Sequence, residues 1–229
     1  MIVAERKPFD EILEMLAPHK KVLVLGCGSC VTVCLTGGER QAEMLASQLR
    51  LAAKKKSLEL AVEFDCITRQ CDREFIEDLT HDPRDYDAVL SIACGVGVGF
   101  MSEVCEDVPV LPGLNTTFYG ANDAPGQWSE YCYGCGDCVL AWTGGICPIA
   151  RCSKSLINGA CGGTNDGKCE IDKEMDCGWL LIYKRLKDLG RLDELRKPRP
   201  ARDWSKDRGR GVRRLTHEEL AEIGEESGQ

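Results

Sequence analysis

Cys132-Tyr133-Gly134-Cys135-Gly136-Asp137-Cys138 sets three thiols at C-x2-C-x2-C spacing, and Cys147-Pro148 follows. This triple spacing wraps three corners of a 4Fe-4S cubane in bacterial-type ferredoxins, where a subsequent Cys-Pro serves another cluster. Here the Cys-Pro stands farther along than in that run. Gly134 and Gly136 permit the tight backbone such a loop needs and expose N–H groups to the sulfurs. A zinc ribbon would show two separated C-x2-C pairs, so the triple favours an iron-sulfur cluster over zinc. Cys152, Cys161, Cys169 and Cys177 come next, the middle two among glycines. From Cys132 onward there are eight cysteines, enough for two four-ligand centres.

A second group lies near the start. The run Gly26-Cys27-Gly28-Ser29-Cys30-Val31-Thr32-Val33-Cys34 follows the apolar stretch Lys20 to Leu25. A dinucleotide fold would place its glycine fingerprint at this strand-to-helix turn. The third glycine is missing and thiols would crowd a pyrophosphate, which argues against a nucleotide. Helical spacing would bring Cys27, Cys30 and Cys34 within about 60° of arc on one face, with Cys27 in the turn itself. Parallel sheets gather their strand ends along one edge, so Cys71 or Cys94 completes a four-thiol site for zinc or an iron-sulfur cluster. Cys66 is a weaker candidate. Cys105, at the end of a helix, reads as a packed thiol. A thiol-zinc methyl-transfer site at Cys27, Cys30 and Cys34 is a further reading, and it needs a zinc with an open position.

The elements around these groups follow from periodicity. Phe9, Ile12, Leu13 and Leu16 predict a helix over Pro8 to Ala17, and Lys20 to Leu25 predicts a buried strand. Met44, Leu45, Leu49 and Ala52 predict a helix within Gly37 to Lys56. Then come a strand over Leu58 to Phe64, a helix over Asp72 to Leu79, a strand over Tyr86 to Ala93, a helix over Val96 to Val104 and a strand over Val108 to Leu111. Alternation of this kind predicts an α/β fold, a small doubly wound parallel-sheet domain over 1–120. The pattern stops near Asn115. From 121 to 195 the chain reads as an irregular cysteine-rich metal-cluster domain, closed by a helix over Gly178 to Leu195 with Gly190 as a stop signal.

Composition narrows the classes. The chain has 229 residues, a formal charge of −8 and 15 cysteines, an odd number that sits badly with a closed disulfide framework. No apolar run approaches the roughly 20 residues of a membrane helix, and Glu5, Arg6, Lys7 and Asp10 interrupt any signal-like start. These features predict a cytoplasmic protein whose thiols stay reduced and bind metal. Residues 196–229 form a charged tail, basic to Arg214 and acidic after it, read as a solvated extension. Apart from Trp204 it lacks a stacking platform for nucleic acid.

Together GCGSCVTVCLTGGE (26–39), RQC (69–71), LSIACGVGV (90–98), LPGLNTTFYG (111–120), YCYGCGDCVL, GGICPIARCSK, NGACGG, GKCE and DCGWLLIYKRLKDLG resemble, in collinear order, the MetV-type family. These are the small accessory subunits also called methylenetetrahydrofolate reductase C-terminal-like. Ala160 departs from the proline common there and leaves the thiols intact. The resemblance implies an iron-sulfur electron-transfer subunit that carries two or three 4Fe-4S clusters, with zinc an option at one site. Its ligands would be Cys27, Cys30, Cys34, Cys71, Cys94, Cys132, Cys135, Cys138, Cys147, Cys152, Cys161, Cys169 and Cys177. Its partners would be a flavin-bearing MetF-type reductase of the Wood-Ljungdahl pathway, which would hold flavin and folate, and an upstream electron donor. The rival reading is a zinc-organised scaffold without redox turnover.

Overall fold

The computed structural model describes residues 1–207 together with Arg213 and Leu215. Arg208, Arg210, Arg214 and the acidic end at 216–229 lie outside the described residues. The chain divides into two compact units, Met1–Cys132 and Tyr133–Gln229. Position 120, where the sequence places the domain boundary, falls inside a strand.

The first unit runs β1 (Ile2–Arg6), α1 (Phe9–Leu16), β2 (Lys21–Cys27), α2 (Cys30–Val33), α3 (Glu39–Lys56), β3 (Ala61–Ile67), α4 (Arg73–Glu77), β4 (Ala88–Ser91), α5 (Gly95–Val104), β5 (Val110–Pro112), β6 (Leu114–Ala124) and β7 (Gln127–Cys132). Strands β3-β2-β4-β5 form a parallel sheet in that order. Side chains alternate across it. Val22 and Val24 of β2 pack with Ile12 and Leu16 of α1 and with Leu45 and Leu49 of α3. Leu23 and Leu25 pack on the opposite face with Ile76 of α4 and Met101 of α5. Helices therefore cover both faces, as a fully apolar strand such as VLVL requires. The order places the switch point, where the connections from β2 and β4 diverge, at the carboxyl ends of these two strands.

Several expectations shift. The buried stripe of α3 is Ala42, Leu45, Ala46, Leu49 and Ala53, while Met44 stays 49% exposed. The expected strand start at Leu58 moves to Ala61, because Ser57 ends α3 in a left-handed conformation and the Leu58 N–H still bonds to the Ala53 carbonyl. An antiparallel sheet β1-β6-β7 lies where the sequence reading had no strands. Its hairpin is half-exposed, so only Leu114, Phe118 and Trp128 reach the core and the apolar alternation is faint. The turn signal was present nonetheless: Pro125-Gly126 joins β6 to β7, with Gly126 at φ +79°.

The second unit contains α6 (Pro148–Arg151), α7 (Gly178–Asp188) and two single-turn helices, Leu192–Arg196 and Trp204–Lys206. The predicted helix over 178–195 thus stops at Asp188, where Gly190 and Arg191 N–H groups bond back to Lys187 and Leu186 carbonyls. The apolar core here is small: Trp179, Ile182 and Leu186, flanked by Ile146, Leu156, Cys152 and Cys177. The proximal tail is not a free extension. Arg202 donates to the carbonyls of Asp137 (2.9 Å) and Cys135 (3.4 Å), and Lys206 meets the Asp137 carboxylate at 3.6 Å. The loop between Cys135 and Cys138 accommodates this segment because Gly136, at φ +81°, has no Cβ, which would stand 2.5 Å from the Lys206 carbonyl oxygen.

Leu49→Ala removes a fully buried side chain and is expected to cost about 2–5 kcal/mol, whereas Leu51→Ala, 70% exposed, should cost about 0.5 or less. Urea unfolding of the two variants measures this. Equal losses would contradict the packing of α3.

Candidate metal centres

Cys27 closes β2, and its backbone is fixed at both sides: its N–H bonds to the Gly37 carbonyl and its carbonyl accepts from Thr32 Oγ1 at 2.7 Å. Gly28 N–H and Ser29 Oγ then tie the turn to the Ile67 and Thr68 carbonyls at the end of β3. Cys94 sits at the entry to α5, just beyond β4. Cys71 lies in the loop after β3. Between them stands Gln70, whose side chain is wholly buried. Its amide nitrogen donates to the Leu25 (2.9 Å) and Gly26 (3.0 Å) carbonyls, and its oxygen accepts from Ser91 Oγ at 2.6 Å. One amide thus joins the ends of β2 and β4 to the loop bearing Cys71.

The electrostatics agree with this gathering. Burial first, then the neighbouring Cys27 and Cys94, push the Cys71 thiol above its ordinary value. Burial and then Cys27 push Cys66 up to about 11. The side chain of Cys66 lies opposite Gly26, where a Cβ would stand 2.9 Å from its sulfur. Thiolates that disfavour one another are the ordinary precursor of a cation site, because a bound cation reverses the repulsion.

The single helical face expected for Cys27, Cys30 and Cys34 does not form. Helix α2 spans only Cys30–Val33 and is followed by Leu35 at φ +60°. Cys30 is half-buried at its first position. Cys34 is buried and turned toward β1, its sulfur 3.1 Å from Thr36 Oγ1 and 3.9 Å from the Ala4 carbonyl. Cys105 caps α5 at its C-terminus and packs against the core, where burial raises its thiol.

In the second unit Cys152, Cys161, Cys169 and Cys177 line one cavity of about 20 Å³, with Lys154 and Glu170 at its side in an ion pair. The chain reaches it through paired turns: Cys169 N–H bonds to the Met175 carbonyl and Cys177 N–H to that of Gly167. Gly163 N–H points at Cys161 Sγ, 3.4 Å away. The Ile171 backbone N–H and the Ser153 hydroxyl hold the Cys169 thiol below its ordinary value. N–H donors aimed at sulfur stabilise thiolate, the form that binds metal. Cys147 is buried at the start of α6, Cys135 and Cys138 flank the loop held by Arg202, and Cys132 is the last residue of β7. Among the described residues no three His, Cys, Asp or Glu side chains converge as a ready-made metal cage. The donor sets are thiol neighbourhoods, chemically suited to iron or zinc, rather than closed coordination shells.

Sequence reasoning missed Gln70 and Arg202. Gln70 carried one signal, its place beside Cys71 in the loop after a buried strand. Arg202 carried none.

A family model described as methylene-tetrahydrofolate reductase C terminal matches residues 111–205, less than half of the chain. No curated protein and no solved structure matches.

Gln70→Leu would remove the side-chain donor to the Gly26 carbonyl and the acceptor of the Ser91 hydroxyl, each costing about 1–3 kcal/mol when buried, while the Leu25 carbonyl keeps the Ile92 N–H. The expected result is a loss of roughly 2–5 kcal/mol in urea unfolding, with faster iodoacetamide labelling of Cys71 and Cys94 in metal-free protein. Unchanged stability and labelling would show that the amide positions nothing.

Proposed function

We propose, from the match of residues 111–205 to the family model described as methylene-tetrahydrofolate reductase C terminal, that the chain is an electron-transfer subunit of such a reductase, carrying iron-sulfur centres on its thiols. The observation that carries this reading is the gathering of Cys27, Cys71 and Cys94 near the buried Gln70 amide at the switch point. Cys152, Cys161, Cys169 and Cys177, which line one cavity in a segment otherwise short of apolar core, supply a second neighbourhood.

When bound, 4Fe-4S clusters supply reversible one-electron chemistry at potentials set by sulfur hydrogen bonds and burial. The protein's own residues would do the rest. Cys27, Cys71 and Cys94, with Cys30 or Cys34 on adjustment of the short α2 segment, would hold one centre. Cys152, Cys161, Cys169 and Cys177 would hold another, and Cys132, Cys135, Cys138 and Cys147 are proposed as ligands on their spacing. Gly163 and Ile171 N–H groups would stabilise negative charge on sulfur, and burial of Cys27, Cys94 and Cys147 would exclude water. The flavin and folate would reside on a MetF-type partner of the Wood-Ljungdahl pathway, with an upstream protein delivering electrons in the cytoplasm. No helix of the described residues is long and apolar enough to cross a membrane.

A second reading has one specific observation in its favour. The four-thiol cavity, at about 20 Å³, has room for a single ion more readily than for a cubane. Zinc at that one site would be structural, and it would leave redox work to the other thiols.

Electron paramagnetic resonance of the dithionite-reduced, anaerobically prepared protein tests the proposal. Reducible cluster signals are expected. Cys135→Ala should abolish one of them and Cys105→Ala none. Silent spectra, or equal losses in both variants, would overturn it.

A further inference from the structure

A second cavity in the Tyr133–Gln229 unit, of about 430 Å³, has no cysteine on its wall. This volume lies in the range of small-molecule sites. Its apolar wall sets Trp142, Trp179 and Tyr183 beside Val139, Ile157 and Leu195. Trp179 is buried and fixed by a 2.8 Å bond from Nε1 to the Leu156 carbonyl, while Trp142 and Tyr183 remain 37% and 45% exposed. Trp179 also walls the thiol-lined cavity.

The polar side is cationic. Lys197, Arg199 and Arg202 line the cavity, against the carboxylates of Glu194 and Asp137. Glu194 is shared by Lys197 and Arg199, and Asp137 is met from outside the lining set by Lys206. Arg202 gives its terminal nitrogens to two neutral carbonyls, those of Asp137 and Cys135. Its Nε–H is buried and has no acceptor among the described residues. Arg199 lies over the Trp142 ring, 4.4 Å from the centroid, and Arg202 over Trp204 at 4.7 Å. Guanidinium groups held by ring faces keep their planes oriented for a bidentate anion.

We propose that this cavity binds a planar aromatic ligand bearing one anionic group, a carboxylate or a phosphate, with its ring against Trp142 and Tyr183 and its anion at Arg199 and Arg202. Aromatic walls alone would accept any apolar molecule, and the three cationic side chains set against two carboxylates on the wall select the anion. The site stands independently of the metal reading, since it needs no thiol.

Calorimetric titration of the full chain with 2-naphthyl phosphate, 2-naphthoate, neutral 2-naphthol and inorganic phosphate tests it. One naphthyl anion per chain is expected to bind, with naphthol and phosphate alone at least about tenfold weaker. The tighter of the two anions identifies the recognised group. Arg199→Gln and Tyr183→Ala, on opposite walls, should each weaken binding about tenfold or more, so either variant suffices if the other fails to fold. Equal binding of naphthol, equal binding of phosphate alone, or full affinity in both variants would overturn the proposal. Replacing Glu218, Glu219, Glu222, Glu225 and Glu226 by Gln should leave affinity unchanged. A rise of about tenfold would assign the cavity to the chain's own acidic end instead.

Discussion

A parallel sheet ends its strands along one edge, and side chains placed there can tie neighbouring strand ends together. In the first unit the buried amide of Gln70 does so, donating to the Leu25 and Gly26 carbonyls of β2 and accepting from the Ser91 hydroxyl of β4. The same group that satisfies the Leu25 and Gly26 carbonyls fixes the loop bearing Cys71 beside Cys27 and Cys94. The placement of the thiols at this edge therefore depends on an amide. The apolar faces of β2, buried by α1 and α3 on one side and α4 and α5 on the other, make the edge rigid enough for one amide to matter.

The second unit obeys a different constraint. Three fully or nearly buried residues, Trp179, Ile182 and Leu186, form the centre of its apolar cluster. Such a core is too small to order the turns between Cys152 and Cys177 by burial alone. Backbone pairing of Cys169 with Met175 and of Cys177 with Gly167 brings the thiols to one cavity, and Arg202 and Lys206 hold the Cys135–Cys138 loop from the tail. Metal bonds would supply the remaining order, and in that case folding and metal loading would be one process.

Much of this was legible in the residues. The alternation of LVLG-type strands with amphipathic helices gives the parallel sheet. The antiparallel sheet was not legible, because β6 and β7 expose most of their side chains and offer the core only Leu114, Phe118 and Trp128. The helical face of Cys27, Cys30 and Cys34 failed for a local reason: α2 is one turn long and Leu35 breaks it, so Cys34 turns to Thr36 and β1. Gln70 showed only its place beside Cys71, and Arg202 showed nothing, since a polar side chain looks like any surface residue until the fold supplies its partners.

Iron with inorganic sulfide on these thiols is tested by quantitative iron, acid-labile sulfide and zinc analysis of the anaerobically purified chain. Iron and sulfide are expected in equal amounts, about four or more of each per chain, with at most one zinc. Stoichiometric zinc without iron or sulfide would contradict it.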